Sequence, residues 1–402
     1  MIQKKDILEL KKRLKKEGCT FTRMCGCYVN AKREKVVNIG ETFLNLDDEE
    51  FYKYLEIAKK ALSGNIGNNM LQLYFPKEEE ELGGKQQFLM GLRESRLKND
   101  ALLDHLYDMI IEHYDYVGNY LILIFHDAYD VITKTNDDLK IDESEEVYEY
   151  LLCAICPVCL SKPGLGYREE ENRIGVRIQD WVVGTPDVGF LFPSFEERSS
   201  DIHSLTYYVK DASDSHAEFI ENALGCSAKR TATEEKQTFH SMVKAAIAPI
   251  IEESDKVMIE IQENLNTIIE TKEEFACVEP EEIILTPEIV EEILTQSEIP
   301  DATVANIKER FTEEFQDAPP AAINVIDEKA LEKSAKEKRQ LELVQKVETL
   351  EKALNSGSDV VLRVAPEKAE EITSQYIDGK KCIIIPVTDD EQITINGIDT
   401  EF

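Results

Sequence analysis

WVVGTPDVGFLFPSFEERSSDIHSLTYYVK, residues Trp181–Lys210, is the stretch around which the chain is organised. It holds the single tryptophan, the aromatic run FLFPSF and a strand-like HSLTYYVK, with polar, charged sequence on either side. Aromatic and β-branched residues at this density suit the packed centre of a folded domain. The intervening EERSSD is a polar turn at its tip. Glu196, Glu197, Arg198, Asp201 and His203 therefore form a polar loop on a rigid base, which makes them a candidate contact surface.

Towards the N-terminus the pattern is that of a mixed α/β layer. Ile7, Leu10 and Leu14 are spaced for one helix face, surrounded by Lys4, Lys5, Lys11, Lys12, Lys15 and Lys16. That spacing predicts a docking helix with lysines on its outer side. Residues 20–30 and 35–43 flank a polar turn and read as a hairpin. Asp47 and Glu50 have capping-box spacing before a helix with Phe51, Leu55, Ala58 and Leu62 on one stripe. MLQLYF is a strand, residues 85–97 and 101–114 are helices, and Tyr120–Phe125 (YLILIF) is a buried strand. DLKIDESEE is an acidic loop, and residues 147–155 fit a strand or a short helix.

Beyond Lys210 the chain becomes helical. Helices are expected from Asp214 or Ser215 to Leu224, from Thr233 to about Ile251, over 256–270, after the Thr286-Pro287 cap, and over 302–315 after Asp301. The last two are too rich in glutamate to lie against DNA phosphates. Residues 328–355 read as a solvent-exposed helix. The tail then reads as strand VVLRV, helix 366–375 and hairpin arms KKCIIIPV and EQITING. The fold class is α+β: a mixed sheet with hairpins and helices, a helical C-terminal half and a small βαββ tail unit. The expected segments are a core domain over 1–212, a helical region over 213–320, an exposed helix over 321–355 and the tail over 356–402.

The 402 residues carry 80 acidic and 46 basic side chains, a net charge of −34. Repulsion from that excess disfavours contact with phosphate backbones. A DNA-linked role would need the basic N-terminal helix or a basic protein partner. No apolar run approaches the roughly 20 residues needed to span a bilayer. The N-terminus lacks a secretory pattern, and nine cysteines scattered along the chain suit a reducing compartment. A cytosolic protein with no membrane contact is the expectation.

Cys153, Cys156 and Cys159 form C-x2-C-P-x-C, whose thiolates have a spacing found in zinc and iron–sulfur sites. A fourth ligand is required, and Cys25 and Cys27, or His203, could supply it from afar. Small apolar side chains buried in a strand explain the same cysteines without a cofactor. His126-Asp127, with Asp130, resembles the paired ligands of phosphohydrolases, and Asp201 and His203 could join them; strand-end hydrogen bonding accounts for the pair equally simply. Nucleophile elbows, phosphate-binding loops and dinucleotide fingerprints are missing from the sequence. No residue qualifies as catalytic.

Several segments taken together, CTFTRMCGCYVN, DYVGNYLILIFHDAYDV, ICPVCLSKPGLGY, DWVVGTPDVGFLFPSF and IDGKKCIIIPV, resemble an uncharacterised bacterial domain-of-unknown-function family over nearly the whole chain. That resemblance implies a cytosolic bacterial protein with no assigned chemistry. The family's pattern has asparagine in place of Cys159, which weighs against a metal. FIENALGCSAKRTATEEKQTFHSMVKAA, residues 219–246, is in addition similar to a segment of NdpA-type nucleoid-associated proteins, which implies a place at the nucleoid. The leading expectation is a non-enzymatic binding protein whose partner is itself basic and DNA-processing. The alternatives are a metal-dependent enzyme built on the three cysteines, or a protein that self-associates through residues 328–355.

Overall fold

The computed structural model describes residues 2–134, 140–251, 254–275, 283–297, 299–316, 318–355, 371–388, 393–395 and 398–400. The chain divides into two compact units, residues 1–328 and 329–402. The first begins with α1 (Lys4–Arg13), the hairpin β1 (Arg23–Val29) and β2 (Lys35–Glu41), α2 (Asp48–Lys60) and β3 (Met70–Tyr74). Next come α3 (Lys85–Glu94), α4 (Asp100–His113), β4 (Asn119–Lys134) and β5 (Lys140–Leu160). Short strands follow: β6 (Leu165–Arg168), β7 (Arg173–Val176), β8 (Trp181–Val183), β9 (Val188–Phe192), β10 (Ser194–Glu196), β11 (Ser199–Asp201) and β12 (Ser204–Val209). Helices α5 (Ala232–Ile247), α6 (Ser254–Phe275), α7 (Pro287–Gln296) and α8 (Asp301–Glu314) complete the unit.

An antiparallel sheet in the order β2-β1-β4-β5-β9-β12-β3, with β8 added to the end of β5, forms the frame. Side chains alternate across it, so each strand feeds two cores. One face carries Cys25, Ile122, Ile124, Leu151, Cys153, Phe190 and Tyr207, packed under α3, α4 and a π-helical turn at Phe219–Ala223. The other carries Met24, Leu121, Leu123, Phe125, Leu152, Cys156 and Tyr208, packed under α1 and α2. Ile7 and Leu10 of α1 and Leu14 at its C-cap are buried as the sequence predicts. Each such side chain stabilises the docking by roughly 1.5–3 kcal/mol. Gly26 lets β1 approach β4: a Cβ there would stand 2.7 Å from the Ile122 carbonyl oxygen.

Several local expectations are corrected. Asp47 stands at the N-cap of α2 without a side-chain cap bond, and Pro300 rather than Asp301 is the N-cap of α8. Residues 140–146, read as acidic loop, belong to β5, and they pair with β4 through two register shifts. Trp181 is 56% exposed at the sheet margin, and the dense core begins at Val188. The cap of α5 is Thr231, whose capping box with Glu234 is complete; Thr233 instead bonds Asn68. The stretch 214–224 holds only the short π-helical turn, closed by Gly225 at φ +70°. The Thr286 cap is present as expected, accepting from the Ile289 amide. Helices α5 to α8 enclose a core of their own around Phe239, Val243, Ile261, Ile293, Ile307 and Phe311.

The second unit contains most of α9 (Glu328–Asn355), with Leu341, Val344, Val347 and Leu350 exposed. Two hairpins follow: β13 (Thr373–Ile377) with β14 (Lys380–Ile384), and β15 (Ile393–Ile395) with β16 (Ile398–Thr400). Thr373–Gln375 is therefore strand where the sequence reading ended a helix. Asp378-Gly379, both at positive φ, is the two-residue turn that fixes this hairpin. VVLRV and residues 366–370 lie outside the described residues. Among the described residues no helix is long and apolar enough to cross a membrane.

Candidate functional site

The cysteine motif runs along β5 and is separated by it. Cys153 packs on the α3–α4 side of the sheet, Cys156 on the α1–α2 side, and Cys159 is exposed. Residues three apart on a strand point to opposite faces, and six apart they are about 20 Å away along it. Burial pushes the Cys156 thiol up to about 12 and the Cys153 thiol higher still, so both stay protonated and are poor ligands. Cys25 and Cys27 sit two strands away on β1, buried, with thiols likewise raised by burial. Among the described residues no group of three or more His, Cys, Asp or Glu could hold a metal ion. The two-residue period of the strand thus places the three sulfurs on different sides of the sheet.

His126 and Asp127 are divided in the same way. His126 is fully buried, with Nδ1 2.7 Å from Thr22 Oγ1 and Nε2 2.9 Å from Glu149 Oε1. A carboxylate only accepts, so Nε2 donates to Glu149 and Nδ1 accepts from Thr22. Burial lowers the imidazole pKa despite the pull of Glu149, leaving the ring neutral. Asp127, on the other face, accepts from Thr20 Oγ1 at 2.6 Å, Tyr150 Oη at 2.7 Å and the Ala128 amide at 2.9 Å. Arg13 approaches it at 3.8 Å while stacking 3.6 Å over the Tyr129 ring. Both residues are consumed by internal bonds.

The polar tip extends the same network. Arg198 pairs with Glu9 of α1 at 2.5 Å, and Glu9 also accepts from Tyr129 Oη at 2.7 Å. Glu196 accepts from Gln72 at 2.9 Å, Asp201 from Ser204 at 2.5 Å, and His203 bonds Glu80 at 2.8 Å. Glu197 is exposed; it and Arg198 make the turn at φ 49° and 66°. Glu196, Arg198 and His203 therefore tie the tip to β3, to α1 and to Glu80. His203 immediately precedes β12 and His126 lies on β4, three strand spacings or about 14 Å across the sheet, so they form no common site.

A cavity of about 350 Å³ lies between β1–β2 and α4, lined by Arg23, Cys25, Asn38, Asp100, Asp104 and Tyr107 among others. Arg23 Nε is buried there without a hydrogen-bond partner. Burial raises the pKa of the Cys25 thiol there, against the opposing pull of Arg23.

The feature that sequence reasoning missed is a two-stranded ribbon. Leu165 pairs with Val176, Gly166 with Gly175, Tyr167 with Ile174 and Arg168 with Arg173. One face therefore carries Leu165, Tyr167, Ile174 and Val176, continued by Ile178; the other carries the two glycines and the two arginines. The apolar residues are 61–76% exposed. The polar side is closed on itself, with Arg168 and Arg173 both paired with Glu171; on the apolar face the Tyr167 hydroxyl donates to Asn172 of the turn at 2.7 Å. At the base the Ser161 amide donates to the Asp180 carbonyl at 2.8 Å, and β8 joins the ribbon to the main sheet. The alternation of LGY and IGVRI about EEEN signals it in the sequence, although GLGY reads there as a plain glycine turn.

A match to the family described as Domain of unknown function (DUF4317) spans residues 2–398. The chain belongs to this family. No curated protein matches it. DUF4317 membership carries no assigned chemistry, and it does not extend the likeness to NdpA-type proteins.

Proposed function

We propose that this DUF4317 chain is a non-enzymatic cytosolic protein that acts by binding macromolecules. The observation that carries the reading is the apolar face of the ribbon. Five large aliphatic or aromatic side chains, contiguous on one face, stand in water on a chain of otherwise high charge. Patches of this kind mark contact surfaces. A two-stranded hairpin is marginal in water by itself, so its apolar face costs free energy until something covers it.

Net charge indicates the chemistry of a further partner. A surface of −34 attracts a basic protein and repels phosphate, which favours association with a basic DNA-processing protein over direct contact with nucleic acid. Nucleoid association would then be indirect. Lys11, with Lys59 and Lys60 of α2, makes a local basic cluster; burial first, then those two charges, lower the Lys11 pKa. That cluster is small against the whole surface.

The test compares the tagged full chain with a variant bearing Leu165→Ser, Tyr167→Ser, Ile174→Ser and Val176→Ser. Both are used to capture polypeptides from the native cytosol, with identification by mass spectrometry. The expected result is at least one specific polypeptide held by the wild type and lost with the variant, at unchanged circular dichroism. The same set retained by both would overturn the reading.

A further inference from the structure

We propose that the apolar face of the ribbon binds the same face of a second copy of this chain, forming a two-fold dimer. This rests on the ribbon being a contact surface, and it names the occupant.

Charge is the first argument. Residues 161–180 contain four basic and four acidic side chains, so the ribbon is neutral on a chain of −34. Two copies approaching through most of their surface repel one another. The neutral ribbon is a place where they can meet without that penalty. A strongly basic partner, by contrast, has no charge to select there.

The face is also self-complementary in shape. Leu165–Val176 and Tyr167–Ile174 are cross-strand pairs, so each face is a short row of alternating broad and narrow side chains. Turned by two-fold rotation, Tyr167 of one copy meets the aliphatic row of the other, and every contact occurs twice, as an isologous interface requires. Gly166 and Gly175 keep the opposite side thin, and the Arg168 and Arg173 side chains lie over Gly175 there.

Area is the third argument. At the exposures of Leu165, Tyr167, Ile174, Val176 and Ile178, covering them removes roughly 500–600 Å² from each copy, or about 1,100 Å² in total. That lies just above the lower limit for a specific interface, so a dimer in the micromolar range is expected rather than an obligate one.

Sedimentation velocity of the full chain between about 1 and 100 μM tests this. The wild type is expected to move from 45.9 kDa towards twice that mass as concentration rises. Tyr167→Ser/Ile174→Ser should raise the dimer dissociation constant about 100-fold or more. Amide exchange in residues 163–179 should slow with concentration in the wild type only. A monomer at every concentration, or a dimer unaffected by the substitutions, overturns the proposal. Slow, concentration-independent exchange at monomer mass would mean that another part of the same chain covers the face, and also overturns it. Ribbon-dependent capture of a different cytosolic protein by a monomeric wild type would refute the dimer while leaving the binding function intact.

Discussion

Replacing Asp127 by alanine should be among the most damaging single changes in the first unit. Its carboxylate is 1% exposed and accepts three hydrogen bonds, from Thr20, Tyr150 and the Ala128 amide, beside the Arg13 guanidinium. Alanine would leave the buried Tyr150 hydroxyl without an acceptor and Arg13 without its carboxylate. An orphaned buried donor costs about 1–3 kcal/mol, and breaking a buried charged pair about 3–5 kcal/mol. These overlap, so about 3–5 kcal/mol is expected for the whole change. Tyr150→Phe removes a single bond to the same carboxylate and should cost about 1.5–3 kcal/mol. The two residues are in contact, so the double variant should be less damaged than the sum by at least about 1 kcal/mol. Urea unfolding followed by circular dichroism measures all four corners of the cycle. A loss below about 1 kcal/mol for Asp127→Ala, or strict additivity, would refute the claim that this network holds α1 to β4 and β5.

Other consequences follow from the same geometry. His126 and His240 both have pKa values lowered by burial, so the unfolded chain binds more protons than the folded one below about pH 6.5. Stability should therefore fall as pH drops through that value, by up to about 1.4 kcal/mol per pH unit for each histidine, less a small opposing effect from exposed His203, whose pKa is raised by Glu80. Stability that is flat from pH 7 to 5 would contradict it. Cys159 should react with a thiol reagent in the native protein, whereas Cys153, Cys156 and Cys226 should react only on unfolding; native labelling of Cys156 at the rate of Cys159 would place β5 wrongly. DNA binding at near-physiological salt should be weaker than about 100 μM. Should tight binding be seen and survive Lys4→Gln, Lys5→Gln, Lys11→Gln and Lys12→Gln, the charge argument fails.

Much of the fold is legible because local chemistry and global position agree. The β1–β2 hairpin, the YLILIF strand, the α1 stripe and the Thr286-Pro287 cap each carry a pattern that packing reinforces. What the sequence hides is which strand continues and what lies beside it. Residues 141–146 look like a solvated loop, yet the β4–β5 ladder extends through them because backbone pairing needs no apolar side chain. Trp181 looks like a core residue, yet it lies on a three-residue strand at the margin of the sheet. The cysteine spacing suits a metal on a loop or tight turn; on a strand the period of two scatters it. Arg198 and His203 look available in a polar turn, because their partners Glu9 and Glu80 are more than a hundred residues away. The Asp378-Gly379 turn and the ribbon were both visible as alternation around a polar turn.

The most direct test places a photo-crosslinking residue at position 167 or, as a control, at position 170 in the ribbon's polar turn, within the full chain in living cells. Binding through the apolar face predicts a discrete covalent adduct from position 167, of a mass that identifies the partner, and little from position 170. Only uncoupled chain from position 167, or equal diffuse labelling from both positions, would contradict the account.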